Sequence, residues 1–294
     1  MSVHKMVSVA AVLGLLSPAL PAAPTQWAEA NGVHLRYELS GHGKDTVVLL
    51  HEVSTSLESW DFVVPELERT HRVLRYDLRG FGLSERTHGM LSMDDEMEDL
   101  RALLAALGIH DRVTLVGGAI GGAIALDFAA VHPELVNGVA AISPAAYLKR
   151  GGLSGNVSSG AAMPAAPPTA SGASPTSSPL EAAYPLALQQ AHPDRIARFR
   201  AIQAAADQTS SAATIPAAYN VAFADVLPKI ECPALIVATS QWIRPVASFK
   251  ELADAIPHSE FVVIDTGHFA AMESPELVIP VLKQFLDKLE ARKH

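Results

Sequence analysis

The 294-residue chain has one cysteine, Cys232, so an internal disulfide is excluded. It lies in IECPALIV at the entry to an apolar run, where a small buried residue is the ordinary reading. No Lys/Arg cluster relieves a net charge of −9, which argues against a nucleic-acid partner. The twelve histidines are scattered, and neither HExxH nor paired-Cys spacing occurs, so no metal is expected. No glycine-rich loop stands in nucleotide context, and no cofactor is expected. No run is long and apolar enough to form a stable membrane span. What remains is a chain about half apolar, long enough to bury a sizeable core, whose oligomeric state is not legible in its residues.

The N-terminus has its own pattern. Lys5 precedes an apolar run from Met6 to Leu16, and small residues follow near Ala22. This is the order of a secretory signal, with prolines crowding the cleavage site. Residues 1–25 are set aside as a leader, which places the protein in the periplasm or outside the cell, or in the cytoplasm if the leader stays uncleaved.

Beyond it, β-rich runs alternate with helical patterns. Strands are expected at His34–Leu39, Thr46–His51, Arg72–Asp77, Arg112–Val116, Gly138–Ser143, Ala234–Ala238 and Glu260–Asp265. Continuous apolar runs such as VVLL, VTLV and ALIV suit strands covered on both faces. Helices are expected at Leu57–Leu67, Asp94–Leu107, Ile120–His132, Phe249–Ile256 and Pro275–Leu289. The last has Ser274 to N-cap it, and Pro280 should kink it or delay its start. The alternation predicts a doubly wound, mostly parallel α/β sheet in one domain, residues 26–294.

It stops between about residues 145 and 229. No residue from 151 to 179 is charged, and Gly, Ala, Ser and Pro dominate there, a composition that cannot bury enough side chain to order itself firmly. AHPDRIARFRAIQAAAD then reads as a helix, with Ile196, Phe199 and Ile202 on one face. The segment is read as a cap inserted over the C-terminal edge of the sheet.

Five motifs follow in order: LLHEVSTSLESW, RYDLRGFGLSE, LVGGAIGG, IVATSQWIRP and DTGHFAAMESPE. Their order and spacing resemble the α/β-hydrolase superfamily over nearly the whole chain after the leader. The nearest pattern is that of enol-lactone hydrolases and similar small-molecule enzymes with a helical cap. The resemblance implies a nucleophile elbow at Gly117–Gly122, an acid loop at Ser240–Pro245 and a catalytic histidine at His268. It also implies an oxyanion hole from the backbone N–H groups of Val53 and Ile120.

Three positions depart from that pattern. Ala119 stands where the serine belongs, Gln241 where the acid belongs, and Glu52 where glycine is usual. A deliberate Ser-to-Ala replacement would explain Ala119 but not Gln241. A degenerate scaffold that binds without turnover, or altered chemistry, explains all three. In the leading reading the protein hydrolyses a small apolar ester or lactone. His268 and Glu52 form the acid–base pair that activates water, and Val53, Ala119, Ile120, Gln241 and Trp242 line the substrate site. The alternatives are a non-catalytic small-molecule binding protein, and lyase or cofactor-free oxygenase chemistry. Glu52 could instead pair with Arg79. His51 and Asp77 are read as loop buttresses and Trp60 as a core anchor, and Ser54, Ser56, Ser143 and Ser240 as poor substitute nucleophiles off the elbow.

Overall fold

The computed structural model describes residues 25–86, 92–149, 185–207, 209–210 and 221–293. Most of the leader and most of the low-complexity stretch expected in the cap therefore lie outside the described residues. Eight strands form one sheet: β1 (Gln26–Ala30), β2 (Val33–Ser40), β3 (Thr46–Leu50), β4 (Arg72–Tyr76), β5 (Val113–Gly118), β6 (Val136–Ile142), β7 (Ala234–Thr239) and β8 (Ser259–Ile264). Their spatial order is β1-β2-β4-β3-β5-β6-β7-β8. β1 and β2 run antiparallel to their neighbours, and the remaining pairs are parallel.

Side-chain alternation explains the continuous apolar runs. In β3, Val48 and Leu50 enter one core, with Leu126 and Phe128 of helix α3 (Ala119–Val131) and Phe249 of α6 (Val246–Asp254). Val47 and Leu49 enter the other, with Trp60 and with Val278, Leu282 and Phe285 of α8 (Pro275–Ala291). Both faces of the sheet are thus covered, and each such side chain contributes about 1.5–3 kcal/mol by its burial.

Several local expectations are corrected. β1 was not anticipated, because QWAEA is an edge strand with exposed polar positions and no apolar run. The helix expected over Leu57–Leu67 is two pieces, a 3₁₀ turn at Leu57–Trp60 and the single turn α1 (Val64–Leu67). Asp77 accepts from Leu57 N–H and anchors the first piece, while Pro65 lacks the N–H that would continue a helix through the break. Ser274 does not cap α8, since its hydroxyl pairs with Thr266, and Pro280 does not delay the helix start. Helix α2 (Met93–Ala106) has a capping box instead, Ser92 with Asp95.

Between β6 and β7, where the cap was expected, the described residues include helices α4 (Leu186–Ala191) and α5 (Pro193–Ala205). Ile196, Phe199 and Ile202 are buried, and they pack on Phe269 and Met272 rather than on the sheet. The strand order reverses at β3, which lies between β4 and β5. In an open α/β sheet, such a switch point is where the C-terminal strand ends leave a crevice for a ligand.

Candidate functional site

Register brings the site together. Leu50 of β3 lies opposite Gly117 of β5, so the loop from His51 leaves the sheet beside the turn into α3. At that turn Ala119 has φ +45°, a left-handed conformation that costs a non-glycine residue roughly 1 kcal/mol or more. The elbow keeps its strain although its side chain is a methyl group. A Cβ at Gly121 would collide with the backbone of Leu50 and His51, so only glycine lets α3 approach β3 this closely.

His51 is a buttress. Its Nε2 accepts from Leu78 N–H at 2.9 Å, so the ring proton lies on Nδ1, which donates to the Glu52 carbonyl at 2.7 Å. Burial lowers its pKa to about 4 and keeps it neutral. The Glu52 carbonyl also accepts from the Thr55 hydroxyl at 2.7 Å and from Thr55 N–H at 3.3 Å. In a trans peptide N–H points opposite C=O, so these donors fix the direction of Val53 N–H. Ile120 N–H lies in the first turn of α3, where N–H groups have no intrahelical acceptor. Asp77 is fully buried and accepts from Leu57 N–H, Leu83 N–H and Arg36, joining three segments under the rim.

The Glu52 side chain is buried and lies against the elbow. A Cβ added at Gly118 would sit 2.5 Å from Glu52 Oε1 and 3.0 Å from its Cγ. The acid thus fills the space that a side chain before the elbow would take, and glycine at 118 is its counterpart. Burial pushes the Glu52 pKa up, with the Thr55 hydroxyl 3.3 Å from Oε2 opposing the rise. Gly118 has φ −97° and ψ 142°, which alanine adopts without strain. Gly118→Ala is therefore expected to destabilise by about 1–3 kcal/mol, through overpacking alone. In a Glu52→Ala background the same change should cost nothing. Urea denaturation of the four-member cycle measures the coupling, and additive effects would refute the pairing.

His268 follows β8. Its ring stacks on Trp242 at 4.1 Å and 17°, and Phe269 meets its edge at 5.1 Å. Burial, with Arg244 nearby, lowers its pKa to about 4. Its Nδ1 is buried with no hydrogen-bond partner among the described residues. Gln241 does not supply one: it is exposed and donates to Asp265 at 3.1 Å, on the solvent side of the loop. No hydrogen bond or ion pair among the described residues joins Glu52 to His268, and Arg79 is taken by Asp99 instead of Glu52. Val53 is partly buried, while Ala119 and Ile120 are buried at the elbow. Ser143 pairs with Thr239, Ser240 with Asp265 and Ser56 with Glu58, and none of them is the elbow residue.

One functional group escaped the sequence reading. Glu273 closes α7 (Ala270–Glu273), is fully buried, and ties down the histidine loop. Its Oε1 accepts from Phe269 N–H at 2.9 Å and its Oε2 from the Thr266 hydroxyl at 3.2 Å. Burial raises its pKa to about 8, and Glu52 adds to the rise. In sequence it looks like a surface acid before a helix-starting proline. The apolar FAAM ahead of it is the only sign that the segment is buried.

Comparison with known proteins agrees with this architecture. Residues 45–275 match the family model described as alpha/beta hydrolase fold. A 2-hydroxy-6-oxo-6-(2'-aminophenyl)hexa-2,4-dienoic acid hydrolase of Metapseudomonas resinovorans is 33% identical over 115 residues, covering 38% of this chain and 39% of that protein. A 2-hydroxy-6-oxo-2,4-heptadienoate hydrolase of Pseudomonas putida is 38% identical over 111 residues, covering 36% and 40%. The chain thus spans about two fifths of the length of these curated relatives. Among solved structures, the enol-lactonase of Burkholderia xenovorans aligns at a TM-score of 0.76 and 23% identity, covering 89% of this chain and 100% of that one. A thermophilic esterase of Thermogutta terrifontis aligns at 0.73 and 25%, covering 91% and 99%. With the doubly wound sheet, the strained elbow and the family match in agreement, the chain belongs to the α/β-hydrolase family.

Proposed function

We propose that this protein keeps the binding half of ester and lactone hydrolysis and has lost the covalent half. It binds a small, largely apolar carbonyl compound at the C-terminal rim of the sheet. Val53 and Ile120 N–H hold the carbonyl oxygen, Ala119 packs beneath the carbonyl carbon, and Trp242 and His268 form an apolar wall. The reading rests chiefly on His268 Nδ1, buried with no hydrogen-bond partner among the described residues, together with the alanine at the elbow. Without a charged orienter among the described residues, this imidazole, with a pKa of about 4, is a weak base at neutral pH. The names of the relatives, which concern hydrolysis of dienoic acids and enol-lactones, support the class of ligand.

The expected result is that phenylacetate, a carboxylate analogue of such a ligand, raises the melting temperature. Meanwhile p-nitrophenyl butyrate is recovered unchanged, and the protein's intact mass is unaltered. Turnover that His268→Ala and Glu52→Gln each abolish would overturn this in favour of hydrolysis by activated water. That second reading has one observation in its favour, the buried Glu52 acid pressed against the elbow.

A further inference from the structure

Helix α5 grips both loops that frame the site. Phe199 meets Phe269 at 4.7 Å, next to His268, and Arg195 donates to the Glu273 carbonyl at 2.8 Å and to Glu276 at 2.9 Å. On the other side, Gln203 Nε2 donates to the Ser54 carbonyl at 2.6 Å. Because the acceptor is a carbonyl, the amide nitrogen must be the atom that faces it. A second tether, Arg198 to Asp61, reaches a segment further along the same loop.

Residues 52–55 form a β-turn, closed by Thr55 N–H on the Glu52 carbonyl. Ser54, its third residue, has φ +58°, while Val53 has no positive φ, so the turn is type II. Glycine or asparagine is usual at this position, because other residues favour the type I state at negative φ. The two states differ by a flip of the Val53–Ser54 peptide and share the orientation of the Ser54–Thr55 peptide, whose N–H makes the closing bond. Within the turn, the bond from α5 holds the Ser54–Thr55 peptide, whose N–H closes the turn on the Glu52 carbonyl.

We infer that Gln203 is a positioning residue: by holding the Ser54–Thr55 peptide it keeps Thr55 N–H on the Glu52 carbonyl, whose own peptide presents Val53 N–H, and so couples docking of the cap helix to formation of the oxyanion site. The inference rests on the proposed binding reading only for its ligand consequence. Gln203→Met, close in shape but without donors, should shift the Ser54 and Thr55 backbone amide resonances of the ligand-free protein. It should also raise the phenylacetate Kd about tenfold, the loss of one well-placed hydrogen bond, with the melting temperature nearly unchanged. Gln203→Lys, which can still donate, should recover part of both effects. Arg198→Ala cuts the other tether and should move neither. Unchanged Ser54 and Thr55 amides in Gln203→Met, or equal effects from Arg198→Ala, would overturn the inference. If those amides move while the unaltered protein fails to bind phenylacetate, the positioning role stands and the binding reading falls.

Discussion

Ala119→Ser combined with Gln241→Asp is expected to form an acyl-enzyme from p-nitrophenyl acetate about 10³–10⁴ times faster than Ala119→Ser alone. The elbow already holds residue 119 at φ +45°, so a serine there needs no backbone change to be presented. What Ala119→Ser alone lacks is a competent base. His268 has a pKa of about 4 and its Nδ1 has no partner among the described residues, so taking a proton from a hydroxyl creates an imidazolium that no described acid stabilises. A carboxylate at 241 supplies that stabilisation and fixes the tautomer. It should also leave the side of the loop that Gln241 now occupies, because Asp265 would repel it where it now accepts from the amide. Burst kinetics and intact mass follow the adduct. Equal rates for the single and double variants would mean that His268 needs no acid here.

The second large effect is on stability against pH. The Glu273 carboxyl rises from 4.5 to about 8 on folding, by burial above all and with Glu52 adding to it. A carboxyl whose pKa is raised favours the folded state in its protonated form. Its contribution is complete below about pH 4.5, where both states are protonated. It is lost progressively as pH rises toward 8, and nothing more is lost above that. The shift corresponds to at most on the order of 5 kcal/mol. Glu273→Gln removes this term, so the stability difference between variant and wild type should be flat below pH 4 and grow in the variant's favour up to about pH 8. Asp77 and Asp127, each raised to about 6, bend both curves alike and cancel in the difference. Chemical denaturation at a series of pH values measures it, and a pH-independent difference would show that Glu273 does not titrate there.

The sheet was legible because VVLL, VTLV and ALIV belong to strands covered on both faces, and their short length and β-branched residues set them apart from helices. The switch-point site was legible because motif order carries topology: the segments ending at His51 and Gly118 had to meet if the strands were parallel neighbours. Side-chain direction was not legible. Glu52 and His268 were expected to pair, yet the acid turns toward Gly118, a choice made by free space beside the elbow and not by charge. Gln241 turned to Asp265 because a hydrogen-bond acceptor lay on the wet side of its loop. Glu273 stayed hidden because its partners are backbone N–H groups and a threonine hydroxyl, which leave no pattern in the sequence.

The contact between Glu52 and Gly118 also changes how related chains should be compared. An acid directly after the histidine of the third strand and a glycine directly before the elbow residue occupy one volume between them. The two positions are therefore coupled in one direction: a side chain at 118 needs a smaller residue at 52. In a relative, HE followed some 65 residues later by GGA would mark the same filled pocket, whereas HG followed by a bulky residue before the elbow would mark its mirror arrangement.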